Sequence, residues 1–211
     1  MQRLALFIAV AIASMGLAAT SNAAGWSLTA DSPLSYTFDK AAATIPASGS
    51  TAADWRNRST SDVSGSKVML IAPFHLGVGY EDYSFSQKVD FVTGGPPGTA
   101  RITTNVRMYD VALDLPMRLL NVTLGGGTGS ASSDVQVVAG GVGSPAPIHN
   151  ADVSQAFLIA GIPMGASWDL HVGYHWVSIQ NKDIVKPGQT GNFDKLQQSG
   201  QMLSAGLRLN F

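Results

Sequence analysis

Residues 67–80 read KVMLIAPFHLGVGY, and this stretch is the clearest indication of the fold class. Every even-numbered residue from Val68 to Tyr80 is apolar. Successive side chains of a β-strand point to opposite faces, so this period of two places the apolar residues on one face of a sheet. Pro73 offers no N–H to a sheet ladder and belongs at a strand end or turn. The stretch therefore predicts two strands joined by a tight turn.

The same unit of an apolar residue, proline and Phe or Met occurs three times, at 72–74, 115–117 and 162–164. Each copy lies between two apolar stretches, which predicts three tight turns on one side of a sheet. Longer polar connections separate these units; they lie at 39–65, 93–100, 140–150 and 181–197. Short connections on one side and long ones on the other are the layout of a membrane β-barrel.

Eight strands follow from this layout. They are predicted at 25–38, 62–72, 76–91, 101–116, 121–137, 151–162, 167–180 and 199–211. The fold class is therefore all-β, a transmembrane antiparallel up-and-down barrel of eight strands, with ten strands as the alternative if 39–65 contains a further hairpin. An even number of strands places both termini on the periplasmic side. The alternation changes phase between Tyr80 and Tyr83, which predicts a bulge or an emergence from the bilayer there.

Alternation alone does not say which face is inside, because a soluble sandwich turns its apolar face inward and a membrane barrel turns it outward. The end of the chain favours the barrel. It closes with apolar side chains at alternate positions, among them Leu207, Leu209 and Phe211. The even-numbered apolar residues of 26–38 are expected on the same outward face. A soluble periplasmic β-protein remains the competing interpretation.

Composition excludes several classes of protein. The chain has 13 basic and 14 acidic residues, so it has no positive surface for nucleic acid. It has no Cys, which excludes disulfide scaffolds and thiolate metal sites. Residues 1–23 combine a basic start, an apolar run and small residues at 21 and 23, as in a secretory signal peptide. The predicted domains are thus a signal peptide at 1–23 and a barrel at 24–211.

With the export signal, the alternating segments and the LRLNF ending, the chain resembles small Gram-negative outer-membrane barrels of the OmpA/OmpX/OmpW-like group. The stretches MYDVALDLPMRLLNVTLGGGTG, IAGIPMGASWDLHVGYHWVS and LSAGLRLNF look like an uncharacterised outer-membrane barrel family that ends in Phe. The resemblance implies location in the Gram-negative outer membrane. It also implies that the barrel-assembly machinery recognises the last strand through Leu207, Leu209 and Phe211.

Aromatic residues should mark the membrane surfaces, because amphipathic rings favour the level of the lipid headgroups. Trp26, Trp168, Tyr174 and Trp176 are expected there.

The inward face carries the ionisable residues. An eight-stranded barrel is just wide enough for its side chains to fill it, and buried charges must be paired. The sequence therefore predicts a packed polar network in the lumen rather than a pore. Its expected members are Asp110, Asp114, Arg118, Asp169, His171, His175 and Arg208, and His75 and Glu81 lie on the same face.

Three functions follow from this interpretation. The first is a structural, surface-interaction or envelope-integrity role for a barrel with a filled lumen. The second is a narrow channel or a binder of small hydrophobic molecules. The third is a lipid A-modifying enzyme, which is disfavoured because His175 and Ser178 are three apart and face opposite sides. No catalytic, cofactor or metal site is expected.

The expected partners are outer-membrane lipids and lipopolysaccharide, and the barrel-assembly machinery. Arg56 and Arg58 are candidates for a contact with lipopolysaccharide phosphates, but a solvated extension of the strand is the preferred interpretation of their segment. No nucleic acid is expected, and the barrel is expected to be a monomer.

Overall fold

The computed structural model describes residues 25–39, 59–60, 62–91, 98–117, 120–139, 142–165, 167–181 and 198–211. These residues form nine strands. The strands are β1 (Ser27–Phe38), β2 (Ser59–Thr60), β3 (Val63–Ile71), β4 (Leu76–Phe91), β5 (Gly98–Pro116), β6 (Asn121–Ala139), β7 (Val142–Pro163), β8 (Trp168–Asn181) and β9 (Gly200–Asn210).

The sheet closes on itself. The long strands pair antiparallel in chain order, and β1 pairs with both β3 and β9, so eight long strands form a barrel. β2 adds a two-residue pairing with β1. Followed once around the barrel from Leu28, the register returns to β1 at Thr37. This stagger tilts the strands by about 35–45°. The predicted eight-stranded fold is confirmed.

We call the end of the barrel with the three tight turns its lower end. The outside of the barrel is apolar in this lower part. Leu113, Val172 and Leu207 are 44%, 59% and 44% exposed, whereas Asp114 and His171 are buried in the lumen. The competing soluble sandwich is therefore wrong, because it would bury these apolar side chains. A closed barrel with an apolar outer band is the architecture of bacterial outer-membrane proteins, in agreement with the predicted location. No helix in the described part of the chain is long and apolar enough to cross a membrane.

Both faces of the barrel change polarity at one height. On β5 the outward face changes from Tyr109 to Arg107, and the inward face changes from Asp110 to Met108. The same step occurs on the neighbouring strand, where Tyr80 is followed outward by Asp82. We call this height the exchange level. Below it the outside is apolar and the inside carries charge; above it the outside is polar and the inside is apolar.

The exchange level also crosses β7, β8 and β9. On the outward face, apolar Ala156, Trp176 and Leu203 are followed upward by polar Ser154, Ser178 and Gln201, respectively. On the inward face, polar Gln155, His175 and Ser204 are followed upward by apolar Val153, Val177 and Met202, respectively. Lipid requires an apolar exterior, while water requires a polar exterior over an apolar core. The exchange level is therefore where the barrel leaves the bilayer.

The exchange of polarity between the two faces explains the phase change in the alternation between Tyr80 and Tyr83. The pairing of β4 with β3 and with β5 runs through these residues without a register shift, so a bulge there is wrong. The side chains keep alternating, and only the solvent outside changes. The alternative expectation, an emergence from the bilayer, agrees with the structure.

Two outward residues predicted on the first strand are placed differently. Tyr36 and Phe38 are buried inside the barrel, although they continue the even-numbered pattern of Trp26 and Leu28. The register of β1 against β9 shifts between Pro33 and Ser35, and this irregularity turns the rest of β1 by one position. A one-residue shift exchanges the two faces of a strand.

One predicted polar connection is also wrong. Residues 142–150 belong to β7 rather than to a long loop, and they continue the pairing with β6. The connection at 93–100 is shortened because β5 already begins at Gly98. Residues 1–23, most of the 39–65 connection and residues 182–197 lie outside the described residues.

The exchange level makes a direct prediction about charge on the outward face. Leu113→Arg, four residues below Tyr109, should lower the free energy of unfolding by about 2–4 kcal/mol, because it places a cation near the centre of the hydrocarbon. The matched control Asn105→Arg, four residues above Tyr109, should change it by less than about 0.5 kcal/mol. Reversible urea unfolding in phospholipid vesicles measures both, and equal losses would contradict the assignment.

Candidate functional site: the lumen

A cluster around Arg208 fills the lumen near the tight turns. Its guanidinium donates to both carboxylate oxygens of Asp114, at 2.7 and 2.6 Å, in the two-pronged geometry that arginine favours. Arg208 Nε also lies 3.9 Å from Asp169 Oδ2. Asn121 donates to Asp169 at 2.6 Å, and Thr123 donates to Asp114 at 2.8 Å. These bonds come from four strands and hold the lower end of the barrel together.

A second cluster lies just below the exchange level and centres on Lys67. Its ammonium is 2.9 Å from Asp110 Oδ2, 3.5 Å from Glu81 Oε2 and 3.4 Å from the centre of the Phe157 ring. Gln155 Nε2 donates to Glu81 at 2.6 Å and to Asp110 at 2.8 Å. The buried cation thus has two carboxylates and an aromatic face as partners, which offsets its loss of hydration.

Glycines on β6 make room for this cluster. A Cβ on Gly127 would meet the Asp110 carboxylate, and a Cβ on Gly125 would meet the Phe157 ring. Because both positions face the lumen, any side chain there would displace a partner of Lys67. This packing explains two of the glycines in β6, although glycine is otherwise a poor strand former.

Two histidines join the network through neighbouring strands. His175 Nδ1 donates to Gln155 Oε1 at 3.1 Å, and its Nε2 lies 3.1 Å from Ser204 Oγ. His171 Nε2 lies 2.6 Å from Asp31 Oδ1. All of these side chains are buried, so the contacts fix strand β8 against β7, β9 and β1.

Above the exchange level the lumen is filled by apolar side chains. We call this layer the plug; it consists of Tyr36, Phe38, Tyr83, Phe85, Val106, Met108, Ala131, Ala151, Val153, Val177, Ile179 and Met202. The rings of Tyr36 and Phe85 stack with centroids 4.3 Å apart. A smaller apolar cluster with Met69, Ile71 and Phe157 lies in the membrane half.

Gln198 covers the upper side of the plug. Its side chain donates to Thr104 at 2.5 Å and accepts from Ser133 at 3.2 Å, and its backbone carbonyl accepts from the Tyr36 hydroxyl at 2.7 Å. Gln198 is fully buried, so the chain that enters β9 is fixed to the wall and to the plug.

The structure places six of the seven predicted network residues inside the barrel: Asp110, Asp114, Asp169, His171, His175 and Arg208. Arg118 lies outside the described residues. His75 is different, because it occupies a tight turn with φ 66° and its side chain is half exposed, 3.9 Å from Asp114. The prediction missed Lys67, Asp31, Gln155 and Ser204. The alternation that selected the other residues would have found Lys67 and Asp31, because both occupy odd-numbered positions in stretches whose even-numbered residues are mostly apolar and are expected to face outward.

The enzyme hypothesis takes a new form in the structure. Ser178 faces away from His175 as expected, but Ser204 on β9 supplies the hydroxyl that His175 lacks on its own strand. Both side chains are buried below the plug. A nucleophile and its base must also reach a substrate. The pocket lined by Thr29, His171 and Arg208 includes neither His175 nor Ser204, and its volume of about 10 Å³ is room for one water molecule.

Among the described residues, no group of three or more His, Asp or Glu side chains is arranged to hold a metal ion. The carboxylates of the Arg208 and Lys67 clusters are instead bonded to arginine, lysine, hydroxyl and amide donors.

No protein-family model and no curated protein matches the chain. Among solved structures, it is similar to Ail, the attachment invasion locus protein of Yersinia pestis, at 9% identity over 90% of this chain and 100% of that one, with a TM-score of 0.46. The N-terminal β-barrel domain of Pseudomonas aeruginosa OprF has 7% identity over 88% and 97%, with a TM-score of 0.43. The Escherichia coli outer-membrane protease OmpT has 12% identity over 89% and 94%, with a TM-score of 0.45. Likenesses this distant add nothing to what the strand topology itself shows.

The buried pair of Arg208 and Asp114 generates a second prediction. Arg208→Met should lower the free energy of unfolding by about 3–5 kcal/mol, because Asp114 loses its partner in a dry lumen. Adding Asp114→Leu should restore most of that loss. The exposed pair of Arg107 and Asp82, 3.5 Å apart, is the control, and Arg107→Met should change stability by less than about 1 kcal/mol. Urea unfolding in vesicles measures the free energy of unfolding of the two single variants and of the double variant. If the loss in the double variant equalled the sum of the two single losses, the prediction would be contradicted.

Proposed function

We propose that this protein is a non-conducting, non-enzymatic outer-membrane barrel with a structural or surface-interaction role. The plug carries this proposal. Its twelve buried apolar residues come from every long strand except β3, and they occupy the lumen above the exchange level. An ion that entered from the polar side would have to lose its water to pass them, at a cost of several kcal/mol.

Every long strand contributes to closing the lumen at this height. The plug residues come from β1 and from β4 to β9, and Val63 on β3 packs against them. Below the plug, the clusters around Lys67 and Arg208 occupy the remaining cross-section through short, paired contacts. An eight-stranded barrel has no space left once its inward side chains are packed.

The part of the barrel above the exchange level supports a surface role. From Arg107 to Gly98, β5 continues for about 30 Å along the strand at about 3.3 Å per residue, paired throughout with β4 or β6. The outward side chains from Arg107 to Arg101 are polar, and Val106 on the inward face belongs to the plug. We infer that this part stands in water as a stable support for the connections between the strands.

Two classes of partner belong to the same proposal. Outer-membrane lipids, including lipopolysaccharide, contact the apolar exterior. The barrel-assembly machinery acts on the last strand, whose Phe211 exchanges two backbone hydrogen bonds with Trp26, at 3.0 and 2.9 Å, and so completes the closure. Leu207 and Leu209 face outward beside it. We propose that the barrel acts as a monomer.

Planar-bilayer recording tests the filled lumen. We expect no single-channel steps from the purified protein, and none from Asp114→Asn or Arg208→Gln, because the plug lies above both residues. A porin in the same bilayer is the control for insertion and recording. Steps in the unchanged protein whose size alters in Asp114→Asn would contradict the proposal and favour the narrow channel.

The contact between His175 and Ser204 is the observation that favours an enzyme, and it has its own test. Because both groups are sealed beneath the plug, lipid A isolated from cells with and without the protein should carry the same acyl chains by mass spectrometry. An acyl pattern that changes with the protein and reverts in both His175→Ala and Ser204→Ala would establish an enzyme and overturn the proposal. Gln201→Ala, an outward change on the strand of Ser204, is the matched control.

A further inference from the structure

The three tight turns carry large exposed apolar side chains at the end of the barrel that the sequence places in the periplasm. Phe74, Met117 and Met164 are 68%, 53% and 53% exposed. Each directly follows the proline of its turn. Turns that stand in water are normally polar, because Gly, Asn, Asp and Ser favour turn geometry and hydration. We call these three side chains the turn ring.

The apolar band of the barrel is short. The outward face runs eight residues from Tyr109 at the exchange level to Met117, and eight from Ala156 to Met164. At about 3.3 Å per residue and a tilt of about 40°, eight residues span a height of about 20 Å. The apolar band of bacterial outer-membrane barrels is about 25 Å tall. This height already includes Met117 and Met164. Without them the outward apolar faces end at Leu115 and Ile162, about 15 Å from the exchange level, so the strands alone do not fill the hydrocarbon layer.

The first hairpin is shorter still. Only six residues separate Tyr80 at the exchange level from Phe74, a height of about 15 Å. Phe74 is also the most exposed of the three turn-ring side chains. The shortest hairpin thus carries the largest apolar turn residue, where the shortfall in height is greatest.

The same end of the barrel carries two outward tryptophans, Trp26 and Trp168, which are 38% and 41% exposed. Tryptophan favours the boundary between hydrocarbon and headgroups. Met164 lies beside Trp168, to whose carbonyl its backbone N–H donates at 3.0 Å. The aromatic and sulfur-containing side chains are therefore continuous with the apolar band above them.

We propose that the turn ring is a lipid-binding surface that inserts into the inner leaflet of the outer membrane. Acyl chains and the glycerol region of phospholipids cover Phe74, Met117 and Met164, and the turns themselves extend the hydrophobic height beyond that of the strands. The barrel is consequently seated asymmetrically. Its lower end stops within the bilayer, and its upper end extends into water. This seating is independent of whether the lumen conducts.

The first test varies bilayer thickness. The full-length barrel is refolded into vesicles of saturated phosphatidylcholines with ten-, twelve-, fourteen- and sixteen-carbon chains, and its folding equilibrium is measured in each. The triple variant Phe74→Ser, Met117→Ser, Met164→Ser should move the optimum to shorter chains, with at least a tenfold loss in the folding constant in the longest lipid. The apolar variant Phe74→Leu, Met117→Leu, Met164→Leu should keep the original optimum.

The matched control changes the opposite end. Asn105→Ala, Ser132→Ala, Ser154→Ala alters three outward residues above the exchange level and should leave the optimum where it is. An unchanged optimum in the serine variant would overturn the proposal. The proposal would also fail if the serine variant lost only a copurifying protein, or only a crosslinked second copy of the chain, while its thickness dependence stayed the same.

A second test leaves the turn ring intact and so does not depend on the serine variant folding. The chain has no Cys, which allows a single nitroxide label at Ser167→Cys in the third turn. Its spin relaxation should respond more strongly to oxygen, which concentrates in lipid, than to a water-soluble nickel chelate. A label that responds mainly to the nickel chelate would show that the turn stands in water, and the proposal would fail.

Discussion

The structure depends on a change of solvent along each strand. Lipid offers no hydrogen bonds, so a strand in hydrocarbon must satisfy its backbone within a closed barrel and turn apolar side chains outward. In water the outward side chains must be polar instead, but the backbone of the strands still has to be paired. β4 and β5 therefore keep one continuous ladder while the two faces exchange polarity, between Asp110 and Met108 inside and between Tyr109 and Arg107 outside.

The contents of the lumen follow from the same constraint. In the membrane half, the inward face carries polar groups that are paired across the lumen, as Arg208 is with Asp114 and Lys67 is with Asp110. Above the bilayer, the exterior is polar and the inward face supplies the apolar core that any water-exposed sheet needs. The upper barrel is thus built like a soluble protein on a membrane base, which is why we propose a support for surface contacts rather than a pore.

Alternation in the sequence was sufficient to predict the strands, the turns and most of the residues that line the lower lumen. Each strand residue there faces either lipid or the narrow lumen, and each of these surroundings favours one kind of side chain. It was insufficient where geometry depends on partners far away in the chain. Tyr36 and Phe38 were misplaced because the even-numbered pattern was continued through Pro33, although a proline inside a strand marks a site where the ladder is interrupted. Ser204 was missed because its partner, His175, lies on the neighbouring strand. The plug was missed because apolar residues were expected only outside.

Nitroxide labels at single cysteines along the outward face of β5, one at each odd position from Arg101 to Leu115, locate the exchange level residue by residue. The absence of native cysteine makes each label unique. In vesicles, oxygen should relax the labels at 109 to 115 more effectively than a water-soluble nickel chelate, and the order should reverse at 107 and above. Lipid-like behaviour that continues to 101, or water-like behaviour at 113, would contradict this position of the membrane boundary.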